Sequence, residues 1–491
     1  MSSIKQRMKY LASLLFLIFS ITVLNAQTTT TKSSDQSTIE NSLTKLILVK
    51  DQPVEKYSIA ERMAHHKVPG VSIAVVRNGK IDWAKGYGYA NTNSKTKVNE
   101  TTLFQAGSIS KPVAALAALK LAQEGKLDLD ENVNAYLKDW SIEENELTAN
   151  NKVTVRRLLT HTAGTTVHGF PGYMTNEDIP SDVMVLNGKG NTPKVYVDVE
   201  PESMWRYSGG GYTIMEKVVE DISGESFQDY MKNHILSNMD MHNSTYNQPL
   251  DSELHANASA AYDSNGNIIE GLWHNYPEQA AAGLWTTPTD LAKYCIEIQN
   301  IRQGKSDGLL SKKTVDIMLT KHKNDWGLGP SLRWEADSLV FSHGGKNAGF
   351  TNNMVAFAEL GDAVIVMTNG DNGGRLMSEI ITSVSQHYGW NLGKPRVVET
   401  KEMTADELSK YTGRYQLDFQ VPGIGDYIIT LKVKDNGLLL EDPNDSDSFI
   451  LPLNDATFMD IENGDTAVFD LTEGKEGFRW NNQYQLNKLK D

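Results

Sequence analysis

The sequence predicts an α+β protein in which a large domain of sheet and helices is followed by a small, purely β domain. Strand patterns stand at both ends of residues 39–392 with helical patterns between them, so one sheet is expected to be assembled from both ends of this domain. Beyond residue 405 the pattern is β only. A chain of 491 residues, 40% of them hydrophobic, is long enough for more than one core.

The first strands are expected in the segment VSIAVVRNGKIDWAKGYG, where two apolar runs flank an Asn78-Gly79 turn and so predict a β-hairpin. A helical pattern precedes it over residues 39–65. An Ala- and Leu-rich helix follows over Ala114–Glu124 and is expected to end at Gly125. Strands return as MVAFAEL and AVIVMTN near the end of the domain.

The C-terminal part begins with a polar linker at residues 393–404, and residues 405–491 form the predicted β domain. Ile429, Leu431 and Val433 alternate with polar residues, as in a strand with one buried face. Turn signals such as Asn463-Gly464 separate short strands. A small antiparallel barrel or sandwich is predicted.

Residues 1–26 have the pattern of a secretory signal peptide, with a basic start, an apolar run and Ala26 as the small residue before cleavage. The alternative is an uncleaved anchor helix, but the apolar run Tyr10–Leu24 is shorter than the roughly 20 residues that span a bilayer. A periplasmic or secreted protein without a stable membrane anchor is therefore expected. Residues 27–38, rich in Ser and Thr, are predicted to be a disordered leader.

Charge and cysteine content narrow the possible functions. The net charge is −15, and removal of residues 1–26, which carry three basic and no acidic residues, would leave −18. An acidic surface argues against nucleic acid as a partner.

The single cysteine, Cys295, cannot form an internal disulfide and lies in an amphipathic pattern typical of a core position. No His/Cys spacing indicates a metal site, and no phosphate-binding loop follows a strand, so neither metal nor cofactor is expected.

The strongest chemical signal is Ser108 followed by Lys111 at the mouth of the Ala-rich helix. Side chains three residues apart in a tight first turn lie side by side, so the Lys111 amine is expected beside the Ser108 hydroxyl. A serine hydroxyl needs a neighbouring base to act as a nucleophile, and either a desolvated lysine or a phenolate held beside one can be that base. The alternative is a serine cap followed by a surface lysine, because Ser-x-x-Lys alone is common.

Two further motifs follow in order. In MWRYSGGGYTIMEKVV, Tyr207 precedes a glycine turn that opens a helix and can project into a cleft. In FSHGGKNAGFTNNMVAF, His343 is followed by Gly344 and Gly345, and small glycines on a strand let a substrate backbone approach. Taken alone, the first of these motifs is better explained by an ordinary loop tyrosine and the second by a surface histidine.

Together, the three motifs resemble those of the serine β-lactamase and penicillin-binding-protein superfamily. The class C-like branch, which includes esterases, D-amino-acid peptidases and amidases, is the nearest match. VTVRRLLTHTAG and AAGLWTTPTDLAKY also resemble stretches of that branch, over roughly residues 45–390 in all. The resemblance implies a mainly antiparallel sheet flanked by helices, plus a helical region. YTGRYQLDF and the strands after it resemble the lipocalin-like tail of some members.

The resemblance also implies roles for individual residues. Ser108 becomes the acylated nucleophile, while Lys111 and Tyr207 share the base and acid roles. The oxyanion hole is formed by the backbone N–H groups of Ser108 and Lys346. His343 takes the place of the third-motif lysine, with Gly344 and Gly345 beside it for substrate binding. His161 matches a family stretch and is interpreted as structural.

Two departures from the family pattern weaken the case for β-lactam chemistry. Gly209 stands where the second motif usually has Asn, so a side-chain amide for the substrate is lost. His343 is a weaker anchor for a carboxylate than an ammonium. Neither loss removes the ability to transfer an acyl group.

The predicted function is that of an exported serine hydrolase acting through an acyl-enzyme on small esters, amides or D-amino-acid peptides. One alternative is a β-lactamase or penicillin-binding D-Ala-D-Ala carboxypeptidase. A second is a non-catalytic binding protein with the same fold. A small acyl or peptide substrate is the expected partner, and the sequence leaves the oligomeric state open.

Overall fold

The computed structural model describes residues 34–306, 308–444 and 446–490, and these fall into two compact units. The first unit comprises the described residues up to Leu43 together with Tyr57–Leu392. The second comprises Thr44–Lys56 and the chain from Gly393 onward. The structure thus groups residues 44–56 and the predicted linker at 393–404 with the C-terminal unit. The predicted signal peptide at 1–26 lies outside the described residues.

The strands of the described chain run in the order β1 (Ile47–Val49), β2 (Gly70–Arg77), β3 (Lys80–Asn91), β4 (Thr96–Lys97), β5 (Phe104–Gln105), β6 (Tyr173–Met174), β7 (His274–Asn275), β8 (Trp285–Thr286), β9 (Ser331–Glu335), β10 (Ser338–Asn347), β11 (Phe350–Phe357), β12 (Ala363–Thr368), β13 (Arg396–Val398), β14 (Gly413–Leu417), β15 (Ile428–Lys434), β16 (Gly437–Glu441), β17 (Ser448–Pro452), β18 (Thr457–Asp460), β19 (Thr466–Asp470), β20 (Gly477–Trp480) and β21 (Tyr484–Lys488).

The α-helices with named bounds are α1 (Ile59–His65), α2 (Ser110–Gln123), α3 (Val155–Leu159), α4 (Asp182–Leu186), α5 (Gly209–Ser223), α6 (Phe227–Tyr230), α7 (Gln279–Ala282), α8 (Pro288–Arg302), α9 (Lys312–Met318), α10 (Gly373–Tyr388) and α11 (Ala405–Ser409). Residues 34–40 are also helical, so the described part of the predicted disordered leader is a helix.

A seven-stranded antiparallel sheet in the order β4-β3-β2-β12-β11-β10-β9 organises the first unit. The N-terminal hairpin thus pairs with strands from the other end of the domain, which confirms the predicted α+β fold. Alternate residues of β2 enter different cores: Ile73 and Val75 pack with α1 and α10, whereas Ala74 and Val76 face the helical region. Both faces of the sheet are therefore covered.

The central helix α2 lies in the larger core and is buried over almost its whole length. Its alanines let neighbouring elements approach closely, and it ends at Gln123, one residue before the predicted end and two before Gly125, which has φ +71°. Cys295, on α8, is a buried free cysteine, as a core position requires.

The helical pattern predicted over residues 39–65 is interrupted in the structure. Strand β1 and the turn after it occupy its middle, and only α1 and the helix at 34–40 remain helical. The Ile-Leu-Val run has high β propensity, and Pro53 disfavours the helical conformation at Gln52 immediately before it, so a continuous helix is disfavoured here. β1 pairs in parallel with β13, which lies within the predicted linker at residues 393–404.

The second unit contains a closed eight-stranded barrel of β14 to β21, each strand antiparallel to the next. The structure thus selects the barrel from the predicted pair of barrel or sandwich. No helix among the described residues is long and apolar enough to cross a membrane.

Candidate active site

Ser108 lies in a single 3₁₀ turn, Gly107–Ile109, that leads directly into α2. Gly107 has φ +56°, and a Cβ placed on it would lie 2.5 Å from the backbone nitrogen of Lys346. A Cβ on Gly345 would lie 1.9 Å from the Ala106 carbonyl oxygen. Both glycines are therefore needed for the serine turn to touch strand β10, and this contact places the Lys346 amide against the turn, as an oxyanion hole requires.

Lys111 is buried one helical turn beyond Ser108. Its Nζ donates to the Ser108 Oγ at 3.1 Å and to the Ala281 carbonyl at 2.7 Å. Burial lowers the pKa of the Lys111 amine to about 7, because the charged form loses its hydration. A large fraction of this lysine is therefore neutral near pH 7 and able to accept a proton from the serine.

Tyr207 lies next to both groups, immediately before the Ser208 cap of α5. The Lys111 Nζ is 4.9 Å from the centroid of its ring. Burial raises the pKa of the Tyr207 phenol, and the neighbouring Ser108 hydroxyl opposes that rise. The phenol is consequently protonated at neutral pH, so Lys111 is the better base and Tyr207 the better proton donor.

Aromatic side chains hold Tyr207 in place. The His161 ring lies 4.2 Å from the Tyr207 ring between centroids, and its Nδ1 accepts a hydrogen bond of 3.1 Å from the Ser208 N–H. Trp326 meets the Tyr207 ring at 5.9 Å, and Trp205 at 6.3 Å. The sequence interpretation of His161 as structural omitted this positioning of the tyrosine. Sequence reasoning also missed both tryptophans, although Trp205 stands two residues before Tyr207 within the second motif.

His343 is buried on β10 and cannot serve as a cation. Its Nδ1 lies 2.6 Å from the Gly344 carbonyl oxygen, which can only accept, so the proton is on Nδ1. Burial and the nearby Lys111 lower the pKa of the imidazole to about 3. The Lys346 ammonium forms an ion pair with Asp371, so it does not take over the role of the third-motif lysine whose place His343 occupies.

The predicted site residues meet in one open groove on the first unit. Its described lining consists of Ser108, His168, Trp205, Arg206, Tyr207, His343, Gly344, Gly345, Lys346, Thr351, Asn352 and Met377. Lys111 lies beneath this surface and reaches it through Ser108. The structure therefore brings together every residue that the three motifs predicted.

The second-motif glycine is closely packed. A Cβ on Gly209 would lie 2.8 Å from the Phe170 ring and 3.1 Å from the His168 carbonyl oxygen. An asparagine at this position would require the Phe170 segment to move. The packing beside the groove therefore leaves no room for the asparagine side chain that the second motif usually has.

Removal of the phenol oxygen tests the assignment of Tyr207. Tyr207→Phe keeps the ring contacts with His161 and Trp326 and is expected to lower kcat by about 10²–10⁴, the usual scale for an acid–base group. Steady-state kinetics on an activated ester measure the loss, with Tyr196→Phe, an exposed tyrosine, as the matched control. A loss below about tenfold would assign proton transfer to Lys111 alone.

The fold and the Ser108–Lys111–Tyr207 arrangement define a class of proteins, the serine β-lactamases and penicillin-binding proteins. The chain belongs to the beta-lactamase family, whose family model matches residues 58–387. It is 25% identical over 370 residues to Protein flp of Staphylococcus aureus (strain MW2), an alignment that covers 71% of this chain and 68% of that protein.

Solved structures share the fold. The octameric penicillin-binding protein homologue from Pyrococcus abyssi superposes with a TM-score of 0.61 at 23% identity, covering 88% of this chain and 98% of the other. SurE, in a structure with D-Leu, gives a TM-score of 0.54 at 20% identity, covering 88% and 97%. The family model confirms the superfamily and these structures confirm its fold, whereas the class C-like branch and the lipocalin-like tail stay predictions.

Proposed function

We propose that this protein is an exported serine hydrolase that transfers the acyl group of small esters, amides or D-amino-acid peptides to water through an acyl-enzyme on Ser108. The observation that carries the proposal is the 3.1 Å hydrogen bond between the Ser108 hydroxyl and a buried lysine whose pKa is lowered to about 7. A non-catalytic binding protein has no need of a desolvated lysine against a serine hydroxyl.

The reaction follows from the positions of these groups. The neutral Lys111 amine takes the proton of Ser108 as its Oγ bonds to the carbonyl carbon of the substrate. The N–H groups of Ser108 and Lys346 would hold the oxyanion. The Tyr207 phenol protonates the leaving group as its bond to carbon breaks, and is reprotonated from Lys111. Water then attacks the ester carbonyl, the same groups move its proton, and Ser108 is released.

Covalent labelling tests this proposal directly. A fluorophosphonate probe is expected to modify Ser108 stoichiometrically, since it needs the activated serine and the oxyanion hole but no substrate pocket. Peptide mapping by mass spectrometry identifies the modified residue. An unlabelled protein, or one labelled elsewhere, would favour the non-catalytic alternative.

The substrate is proposed from what the groove lacks. A β-lactam needs its carboxylate held and its acylamino group aligned, but His343 is neutral and Gly209 offers no amide. A simple ester needs only the nucleophile, base and oxyanion hole. D-leucyl anilides belong in the substrate panel, because the SurE structure with a similar fold was solved with D-Leu.

Ester hydrolysis is expected to exceed β-lactam hydrolysis. We expect clear turnover of p-nitrophenyl acetate and a kcat/KM for nitrocefin lower by at least about a hundredfold, a gap of about 2.7 kcal/mol that one or two missing polar contacts can produce. Both rates are read from absorbance. Nitrocefin turnover as efficient as ester hydrolysis would make the β-lactamase alternative the better one.

The pH profile reports the base. Because neutral Lys111 accepts the proton, kcat/KM is expected to rise with pH, with a midpoint near the lysine pKa of about 7, and to level off above it. His343 stays neutral throughout, since its pKa is lowered to about 3, so no separate histidine step is expected. Ester hydrolysis corrected for the uncatalysed rate gives the profile, and a flat profile between about pH 6 and 8 would contradict this assignment.

Export is proposed from the basic and apolar pattern of residues 1–26. Expression of the full chain in a bacterium and N-terminal sequencing of the periplasmic or secreted protein should find Gln27 first. Retention of the N-terminal segment on protein in the cytoplasmic fraction would contradict export.

A further inference from the structure

The interior of the C-terminal barrel is filled at one end and open at the other. Helix α11 precedes β14, and its Leu408 packs with Tyr411, Tyr415 and Phe458 in the barrel core. At the opposite end, a cavity of about 480 Å³ opens between the strands. This volume is in the range of small-molecule sites, which often lie in the mouths of β-barrels.

The topology explains why one set of residues surrounds this cavity. In an antiparallel barrel, the last residues of one strand and the first of the next lie at the same end. Leu417 ends β14 and Ile429 lies near the start of β15, while Trp480 ends β20 and Tyr484 begins β21. All four line the cavity, which we call the barrel cup. The cup is therefore a consequence of the fold rather than of one loop.

The walls of the barrel cup are apolar and aromatic. Leu417, Ile429 and Leu486 form apolar surface within it. Phe419 and Tyr484 are about half exposed, at 50% and 47%, and their ring centroids lie 6.5 Å apart. Large exposed rings beside a concave apolar surface are typical of a ligand site.

The charged side chains in the described lining of the barrel cup are acidic. Asp442 and Asp465 are its ionisable acids, and no Lys, Arg or His stands in its described lining. Asp442 accepts a hydrogen bond of 2.5 Å from the Tyr427 hydroxyl, and Asp465 accepts one of 2.7 Å from the Asn481 amide. Within the described residues, neither carboxylate forms an ion pair. A negative charge in the ligand would be repelled and a positive one attracted.

We propose that the barrel cup binds an amphipathic organic cation, a primary or quaternary ammonium that carries an apolar chain or ring. The apolar part would be buried against Leu417, Ile429 and Leu486. The ammonium would lie among the rim aromatics and the two carboxylates, where ring faces and carboxylates both attract a cation. This site belongs to the second unit and is independent of the chemistry at Ser108.

Three ligands with one alkyl chain test the proposal. Octyltrimethylammonium, 1-octanol and octanoate are titrated into the full chain below their aggregation concentrations, with binding followed by calorimetry. The cation is expected to bind one site saturably, at least about tenfold more tightly than the alcohol, with the carboxylate weakest. Absence of saturable binding, or octanoate binding as tightly as the cation, would overturn the proposal.

Variants locate the site. The double variant Asp442→Asn/Asp465→Asn keeps hydrogen-bond acceptors but removes both charges, and should weaken cation binding at least about tenfold while leaving octanol unchanged. Glu473→Gln, which removes an exposed charge outside the barrel cup, should change nothing.

Should the double variant not fold, Tyr484→Lys adds a positive charge at a half-exposed rim position and should reduce cation binding and raise octanoate binding. Unchanged binding in the folded variants would overturn the proposal.

Discussion

Ser108→Ala is expected to abolish turnover, with a loss in kcat of at least about 10⁴, because the proposed mechanism needs this hydroxyl to form the acyl-enzyme. The fold should be unaffected, since the Ser108 turn is held by backbone contacts and by the Ser110 hydroxyl, which donates to the Gly107 carbonyl at 2.6 Å. Steady-state kinetics and thermal unfolding measure the two effects. Intact mass spectrometry should show the acyl adduct in the protein that retains Ser108 and not in the Ser108→Ala variant.

Ser203→Ala, at an exposed serine, is the matched control and should retain full activity. If the Ser108 variant kept near-normal rates with an unchanged melting temperature, another residue would be the nucleophile and the proposed mechanism would be wrong. A loss of activity together with a large loss of stability would instead show that the substitution disturbed the turn.

Lys111→Met is expected to cost nearly as much activity as Ser108→Ala, because residues of one catalytic unit are not additive. Methionine fills a similar volume without a buried amine. The Ala281 carbonyl loses its donor, which costs about 1–3 kcal/mol, while the desolvation of the amine is relieved. The free energy of unfolding should therefore change little, as urea titration would measure.

Lys120→Met is the control for this variant, since Lys120 lies on the same helix and pairs with Glu124 at the surface. It should keep normal kinetics. Activity within tenfold of the parent in Lys111→Met would move the base role to Tyr207. The pH dependence near pH 7 should disappear in any residual activity of that variant, because the titrating group is absent.

Local signals in the chain were enough to predict the main elements of the fold. The Asn78-Gly79 turn closes the hairpin of β2 and β3, with φ values of +51° and +75° that an Asn-Gly pair adopts readily. The strands after residue 338 show as apolar runs because both faces of the sheet are buried. Such patterns depend on neighbouring residues only, so they can be read without the tertiary structure.

Patterns failed where distant partners decide the structure. The segment around β1 is apolar enough for a helix, but its pairing with β13, some 350 residues away, selects a strand. The polar composition of residues 393–404 predicted a linker, but this segment contains β13. A short strand that pairs with one neighbour needs little apolar sequence, so its composition did not reveal it. Non-local pairing of this kind leaves almost no trace in either segment.

The sequence by itself determined the order and local spacing of the groups that form the candidate site, and it predicted their chemical roles. The Ser108–Lys111 spacing places both side chains on one helical turn wherever that helix lies. Gly107 and Gly345 permit the close contact between the serine turn and β10. The tertiary structure alone decided the charge states. The lowered pKa of Lys111 and the neutral state of His343 result from burial by residues far apart in the chain, since desolvation depends on everything that excludes water from a group.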